Sequence, residues 1–142
     1  MAQMNLPRVL LGGLLAGLIM NVGEAALHAG VLGDETGVLY QNLNVPAPTP
    51  GIHLAILIAA TFLLGITGVW LYAAIRPRFG AGPRTALMAA IALWVMAHLW
   101  SAVYLGSGYP GIIPLHLAWL PAGWGSIEAI VAVFAGAWLY KE

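Results

Sequence analysis

The sequence predicts an all-α protein, a bundle of four helices that span a membrane. Of its 142 residues 61% are hydrophobic and only 7% are charged, whereas roughly 25% are charged in a typical soluble domain. Crossing a bilayer as a helix takes about 20 mainly apolar residues, and four stretches reach that length. They cover residues 6–30, 51–75, 84–106 and either 112–140 or 121–140. We therefore expect one domain of four transmembrane helices surrounded by lipid.

Prolines mark where several of these elements begin. Pro7 and Pro83 lie in the first turns of spans one and three, where a missing backbone N–H costs nothing. The connection RPRFGAGPR between spans two and three is short, so these helices should be antiparallel neighbours. The segment VPAPTP, whose three prolines lie at the end of the 33–49 connection and directly after it, predicts an extended, rigid backbone. Near the last span, Pro114 could open a short interfacial helix and Pro121 the span itself.

Positive charges fall on one side of the predicted bundle. Arg8, the arginines of the 76–84 connection and Lys141 share that side, and the other two connections contain no lysine or arginine. Because cytoplasmic connections are enriched in these residues, both termini should be cytoplasmic. The chain has five basic and five acidic residues, so no basic surface is available to bind nucleic acid.

A weak internal repeat relates the two halves of the chain. LPRVLLGGLLAG resembles GPRTALMAAIAL, and GVWLYAAI resembles GAWLYKE. One interpretation is duplication of a two-helix hairpin. The other is that tryptophan and tyrosine recur only because they favour membrane interfaces.

Polar residues form a stripe along one face of the first span. Asn21, Glu24 and His28 continue from Gly13 and Gly17 at spacings of three or four residues, which places all five on the same side of a helix. Small residues let a second helix approach closely. The polar side chains should therefore face protein and not lipid.

Counting about 1.5 Å per residue from the basic side puts four polar residues at one depth, about 20 to 24 Å from that edge. One comes from each span: Glu24, Thr61, His98 and Glu128. The same count puts three histidines nearer the opposite edge, roughly 30 Å or more away: His28, His53 and His116. An ionised carboxylate at the depth of Glu24 and Glu128 costs at least a few kcal/mol of free energy, so it should be protonated, paired or bound to a metal.

Several interpretations of this layer remain open. Glu24, His98 and Glu128 are ligands that suit Zn²⁺, Fe²⁺ or Mn²⁺, with Asn21 as a fourth candidate that orients Glu24. A b-type haem would use the outer histidines, with His28 and His53 as the best pair by depth. A proton or ion relay would lead from the outer histidines to the carboxylates. Alternatively, the layer only fixes the register of the helices through hydrogen bonds.

The preferred prediction is a binding site without covalent chemistry, in which Glu24 and Glu128 are an acidic pair and His98 is their imidazole partner. The outer histidines, His28, His53 and His116, would surround its mouth as cofactor-binding residues. Absence of cysteine excludes thiolate sites, and no nucleophile arrangement or nucleotide motif favours an enzyme. The runner-up is an accessory or scaffold subunit of a larger membrane complex, and homo-oligomerisation is also open.

Three segments of the chain resemble a group of small bacterial four-span integral membrane proteins. They are NLPRVLLGGLLAGLIMNVGEAALHAGVLG, WLYAAIRPRFGAGPRTA and AGAWLYKE. The group's Asn-x-Gly-Glu element corresponds to Asn21, Gly23 and Glu24, and WGSIEAIVAVFAGAWLY, which contains Glu128, resembles its last span. The resemblance implies the four-span fold and the pair of glutamates, and no specific function. His98 and the outer histidines lie outside the group's pattern.

Overall fold

The computed structural model describes residues 4–48 and 51–141, and within these ranges the chain is helical and contains no strand. In chain order the helices are α1 (Leu6–Leu27), α2 (Gly33–Asn42), α3 (Ile52–Phe79), α4 (Pro83–Trp94), α5 (Trp100–Gly108) and α6 (Leu115–Leu139). Two π-helical turns, His28–Leu32 and Val95–Leu99, join α1 to α2 and α4 to α5. Four continuous helices therefore result, each long and apolar enough to cross a membrane. The predicted all-α fold with four apolar helices is confirmed.

The first span is longer than the sequence predicts. It runs without a break from Leu6 to Asn42, so the first ten residues of the expected extended connection are helical. The Thr36 hydroxyl donates to the carbonyl of Leu32, one turn earlier, and so satisfies a backbone group beside the π turn. The non-helical segment that contains the first two prolines begins only after Asn44. The φ of Asn44 is 52°, which is incompatible with continuation of the helix. Residues 45–48 have no regular structure, and residue 49 lies outside the described ranges.

Pro77 and Pro121 lie inside helices and do not mark helix boundaries. The second span continues through Pro77 to Phe79, a few residues past the predicted boundary. The last span begins at Leu115, directly after Pro114, and includes Pro121 in its interior. Apolar helices tolerate interior proline where neighbouring groups satisfy the freed backbone. Near Pro121, the indole N–H of Trp94 donates to the carbonyl of Ala122 over 2.8 Å and links α4 to α6.

The interior of the bundle consists mainly of small residues, and the large apolar side chains point outward. Five alanines have no exposed surface: Ala16, Ala89, Ala90, Ala129 and Ala132. Large residues on the outside include Leu14, Leu18, Ile56, Trp100 and Trp138. This distribution is typical of helices whose solvent is lipid, because burial of large apolar groups inside such a bundle gains little over contact with acyl chains.

Glycines set the separation of α1 from its two main neighbours. A Cβ atom on Gly65 would lie 2.6 Å from Gly17 Cα, so α1 and α3 are in backbone contact there. A Cβ on Gly12 would lie 3.2 Å from the Gly136 carbonyl carbon and still nearer to its oxygen, so α1 also touches α6. The glycines of the predicted stripe, Gly13 and Gly17, therefore lie against α3, while the neighbouring Gly12 lies against α6.

Aromatic and polar contacts join the basic ends of the spans. Tyr140 packs edge-on against Tyr72 with ring centroids 6.0 Å apart, and the Arg76 guanidinium lies 5.4 Å from the Tyr140 ring centroid. The Tyr140 hydroxyl accepts from the backbone N–H of Asn5 over 3.3 Å. The start of α1 is thereby fixed to the ends of α3 and α6.

Replacement of Gly65 with alanine should destabilise the bundle, because the added methyl group meets the α1 backbone. Overpacking of this kind costs about 1–3 kcal/mol. Thermal unfolding of the purified protein in detergent measures the effect. Gly123→Ala is the matched control, because a Cβ at Gly123 meets nothing within 4 Å. Equal unfolding midpoints for the two variants would contradict the close approach of α1 and α3.

Candidate metal centre

Three ionisable side chains from three spans meet inside the bundle. Glu24 lies near the end of α1, His98 lies in the π turn between α4 and α5, and Glu128 lies in the middle of α6. Each offers one ligating atom, and these three atoms all lie within 4.8 Å of one another. The structure thus brings together the two carboxylates and the imidazole that the sequence places at one depth.

Glu128 is the most buried ionisable member of this group. Only 6% of its surface is exposed, and neither carboxyl oxygen has a hydrogen-bond partner among the described residues. A buried carboxylate without a partner is strongly unfavourable in an apolar environment. Glu128 must therefore be neutralised, either by a proton or by a cation held between it and its neighbours.

Gly23 and Gly125 make room for the Glu128 carboxyl group and the His98 ring, respectively. A Cβ on Gly23 would lie 3.0 Å from the Glu128 carboxyl carbon and nearer still to an oxygen, so only glycine leaves space for the carboxyl group at α1. On α6, a Cβ on Gly125 would lie 2.6 Å from Cε1 of His98. The backbones of α1 and α6 therefore form part of the walls of the site.

His98 presents a free nitrogen inside the protein. Its Nε2 is buried and has no hydrogen-bond partner among the described residues, and its ring packs against Gly125. The residue lies in the π turn Val95–Leu99. Such turns occur frequently at functional sites, because one extra residue in the turn re-aims the side chains that follow. An unpaired imidazole nitrogen beside two carboxylates can act as a metal ligand.

Glu24 lies between the buried pair and the surface. About a third of its side chain is exposed, and its Oε2 lies 3.5 Å from Nδ1 of His28, one turn later on the same face. The same carboxylate belongs to the group with His98 and Glu128. Glu24 is thus in contact with both the interior and an exposed histidine.

Asn21, the fourth candidate ligand, and Thr61, a residue of the predicted layer, have other partners. The Asn21 amide donates to the carbonyl of Gly17 over 2.8 Å and to that of Ile58, on α3, over 3.4 Å. No hydrogen bond joins Asn21 to Glu24 in the described ranges, so the expected orienting role is not observed. The Thr61 hydroxyl donates to Leu57 within its own helix. Both satisfy backbone carbonyls, as small polar side chains in apolar helices commonly do.

The three outer histidines are all exposed and have different partners. The His28 Nδ1 bonds to the backbone carbonyl of Glu24 over 2.9 Å. His116 pairs with Glu35 of α2, a contact between the first and last spans that the sequence did not reveal. His53 lies in the first turn of α3 and makes no polar contact among the described residues. The haem interpretation, which pairs His28 with His53, stays a prediction.

The three side chains that meet were predicted from the sequence, whereas the glycines and π turns that shape the space around them were not. Gly23 immediately precedes Glu24, and Gly125 precedes Glu128 by three residues, so glycines close in sequence to the polar residues were the available signal. The π turns at His28 and His98 have no comparable signal, because they depend on packing between helices.

The contact between Gly125 and His98 can be tested with a double-mutant cycle. Gly125→Ala should destabilise the protein by about 1–3 kcal/mol through overpacking. In a His98→Ala background the same change should cost much less, since the ring that the methyl group meets is gone. Unfolding midpoints in detergent measure both effects. Strict additivity of the two substitutions would show that the ring does not lie against Gly125.

Searches of protein-family models, curated proteins and solved structures for relatives of this chain found no match.

Proposed function

We propose that this protein binds one divalent transition-metal ion inside the membrane, with Glu24, His98 and Glu128 as its ligands. The observation that carries the proposal is the buried Glu128 carboxyl group, whose two unpartnered oxygens lie beside two other ligating groups. A cation would satisfy all three side chains at once. Since a buried polar group without a partner costs free energy, binding would remove that cost.

Charge balance favours a divalent ion. Two ionised glutamates and a neutral imidazole carry a charge of −2, so a doubly charged cation makes the assembly neutral. A neutral assembly is far cheaper to hold in an apolar interior than one with net charge. A proton shared between the two carboxyl groups would leave one negative charge, which again requires compensation.

Ligand type favours a transition metal over Mg²⁺ or Ca²⁺. One imidazole with two carboxylates suits Zn²⁺, Fe²⁺ and Mn²⁺, whereas the alkaline-earth ions prefer oxygen ligands alone. Bonds of about 2.1 Å in tetrahedral geometry put ligand atoms about 3.4 Å apart. The three atoms lie within 4.8 Å of one another, a separation from which small side-chain rotations reach this spacing. Three protein ligands also leave a coordination position for water or another small ligand.

The proposal places this site in a multi-pass protein of the bacterial inner membrane, with both termini in the cytoplasm. Its support is the four apolar helices and the distribution of arginines in the sequence. The metal site would then lie in the half of the membrane away from the cytoplasm. A scaffold subunit, in which the same residues only fix helix register, is the alternative that the following experiment distinguishes.

The direct test is metal content. Protein purified in detergent is incubated with Zn²⁺, Mn²⁺ or Fe²⁺, desalted and subjected to elemental analysis, alongside Glu24→Gln, His98→Gln and Glu128→Gln. Wild type should retain one ion per chain. Loss of even an outer-shell partner lowers the metal affinity of a site about 10–100-fold. Each of the three variants lacks a ligand, so its metal affinity should fall by at least that factor.

Glu35→Gln is the matched control, since it removes an exposed carboxylate of the same chain whose ion-pair partner among the described residues is His116. It should bind as much metal as wild type. Negligible metal in wild type, with variants that differ only in stability, would refute the proposed function and favour the scaffold role.

A further inference from the structure

We propose that His28 is the capture ligand through which the cation reaches the buried site. This inference rests on the proposed function, because it concerns the route to Glu24, His98 and Glu128. It assigns His28 a role separate from final coordination. The cation would first meet the exposed imidazole of His28, pass to the Glu24 carboxylate, and then move inward to Glu128 and His98.

The hydrogen bond of His28 prepares its ring to bind a cation. Because a carbonyl oxygen can only accept, Nδ1 must donate its proton to the Glu24 carbonyl, 2.9 Å away. In the neutral ring this leaves the lone pair of Nε2 available. Histidines that bind metals commonly hold the other ring nitrogen in this way, which fixes both the tautomer and the orientation of the ring.

Burial increases stepwise along the proposed route. The side chain of His28 is 57% exposed and that of Glu24 is 31% exposed, while Glu128 as a whole is only 6% exposed. A hydrated ion would therefore lose its water in stages, exchanging it for one protein ligand at a time. Stepwise replacement avoids the large cost of moving a bare ion directly into an apolar interior.

Distances along the route are short enough for transfer by side-chain rotation. Nδ1 of His28 lies 3.5 Å from Oε2 of Glu24, and because Nε2 is on the opposite side of the same ring, the Glu24 carboxylate has to rotate toward Nε2 to take the ion. A ligating oxygen of Glu24 also lies within 4.8 Å of one of Glu128. His28 follows Glu24 by four residues in the helix, so the two side chains share one face. Partial exposure leaves Glu24 room to turn between its two neighbours.

The other outer histidines lack this arrangement. His116 holds its Nε2 against Glu35 and leaves Nδ1 without a partner in the described part of the chain. Glu35 is not a member of the group formed by Glu24, His98 and Glu128, so an ion captured there has no neighbouring carboxylate that leads inward. His53 makes no hydrogen bond or ion pair among the described residues, so no carboxylate is placed to accept an ion from it. Of the three, only His28 contacts a member of the buried group.

Binding kinetics test this role, because a residue that acts only on the route changes rates and not affinity. Stopped-flow measurements with Zn²⁺ and a fluorescent zinc indicator give association and dissociation rates for the protein in detergent. In His28→Gln both rates should fall severalfold by the same factor, with an unchanged dissociation constant. His28→Asp, which keeps a ligating atom, should recover much of the loss.

His53→Gln is the matched control and should bind at the wild-type rate. The inference is overturned if His28→Gln has wild-type kinetics, or if its affinity falls through faster dissociation alone, which would make His28 a ligand of the final site. Failure of wild type to bind any of the tested ions would instead remove the proposed function, and this inference with it.

Discussion

A carboxyl group buried without a hydrogen-bond partner is the constraint on which the rest of the molecule depends. Glu128 lies in the middle of a helix whose other buried residues are mostly alanine and glycine, and both of its oxygens are shielded from solvent. Such a group is retained only if something compensates it. Glu24 and His98 are the ionisable side chains that meet it, and the charge of the resulting set is matched by one divalent ion.

The fold provides the space that this set requires. Small residues bring α1 against α3 and α6, so that side chains from different spans can reach one another within a few ångströms. Gly23 and Gly125 then leave gaps, which the Glu128 carboxyl group and the His98 ring fill. The contacts of Tyr140 with Tyr72 and Asn5 at the basic end join the same helices far from the site. Close packing near the site and at the basic end thus positions Glu24, His98 and Glu128.

The parts of the fold and site that the sequence predicted follow from periodicity and from the cost of burying charge. Apolar length predicts four spans, and depth along a regular helix predicts that Glu24, His98 and Glu128 meet. Details that depend on tertiary contacts could not be predicted: the π turns, the helical course of residues 33–42 and the partner of His116. Asn21 illustrates the limit, since its spacing fits the site while its amide bonds to the carbonyls of Gly17 and Ile58.

X-ray absorption spectroscopy of the zinc-loaded protein tests the central claim most directly, because it measures the ligands of the ion itself. Coordination by two glutamates and one histidine predicts a low-coordinate shell of oxygen and nitrogen at about 2.0–2.2 Å, with the multiple-scattering signal of one imidazole. That signal should disappear in His98→Gln loaded at a zinc concentration high enough to offset its weaker binding. A shell of water oxygens alone, or an imidazole signal that persists in His98→Gln, would contradict the account.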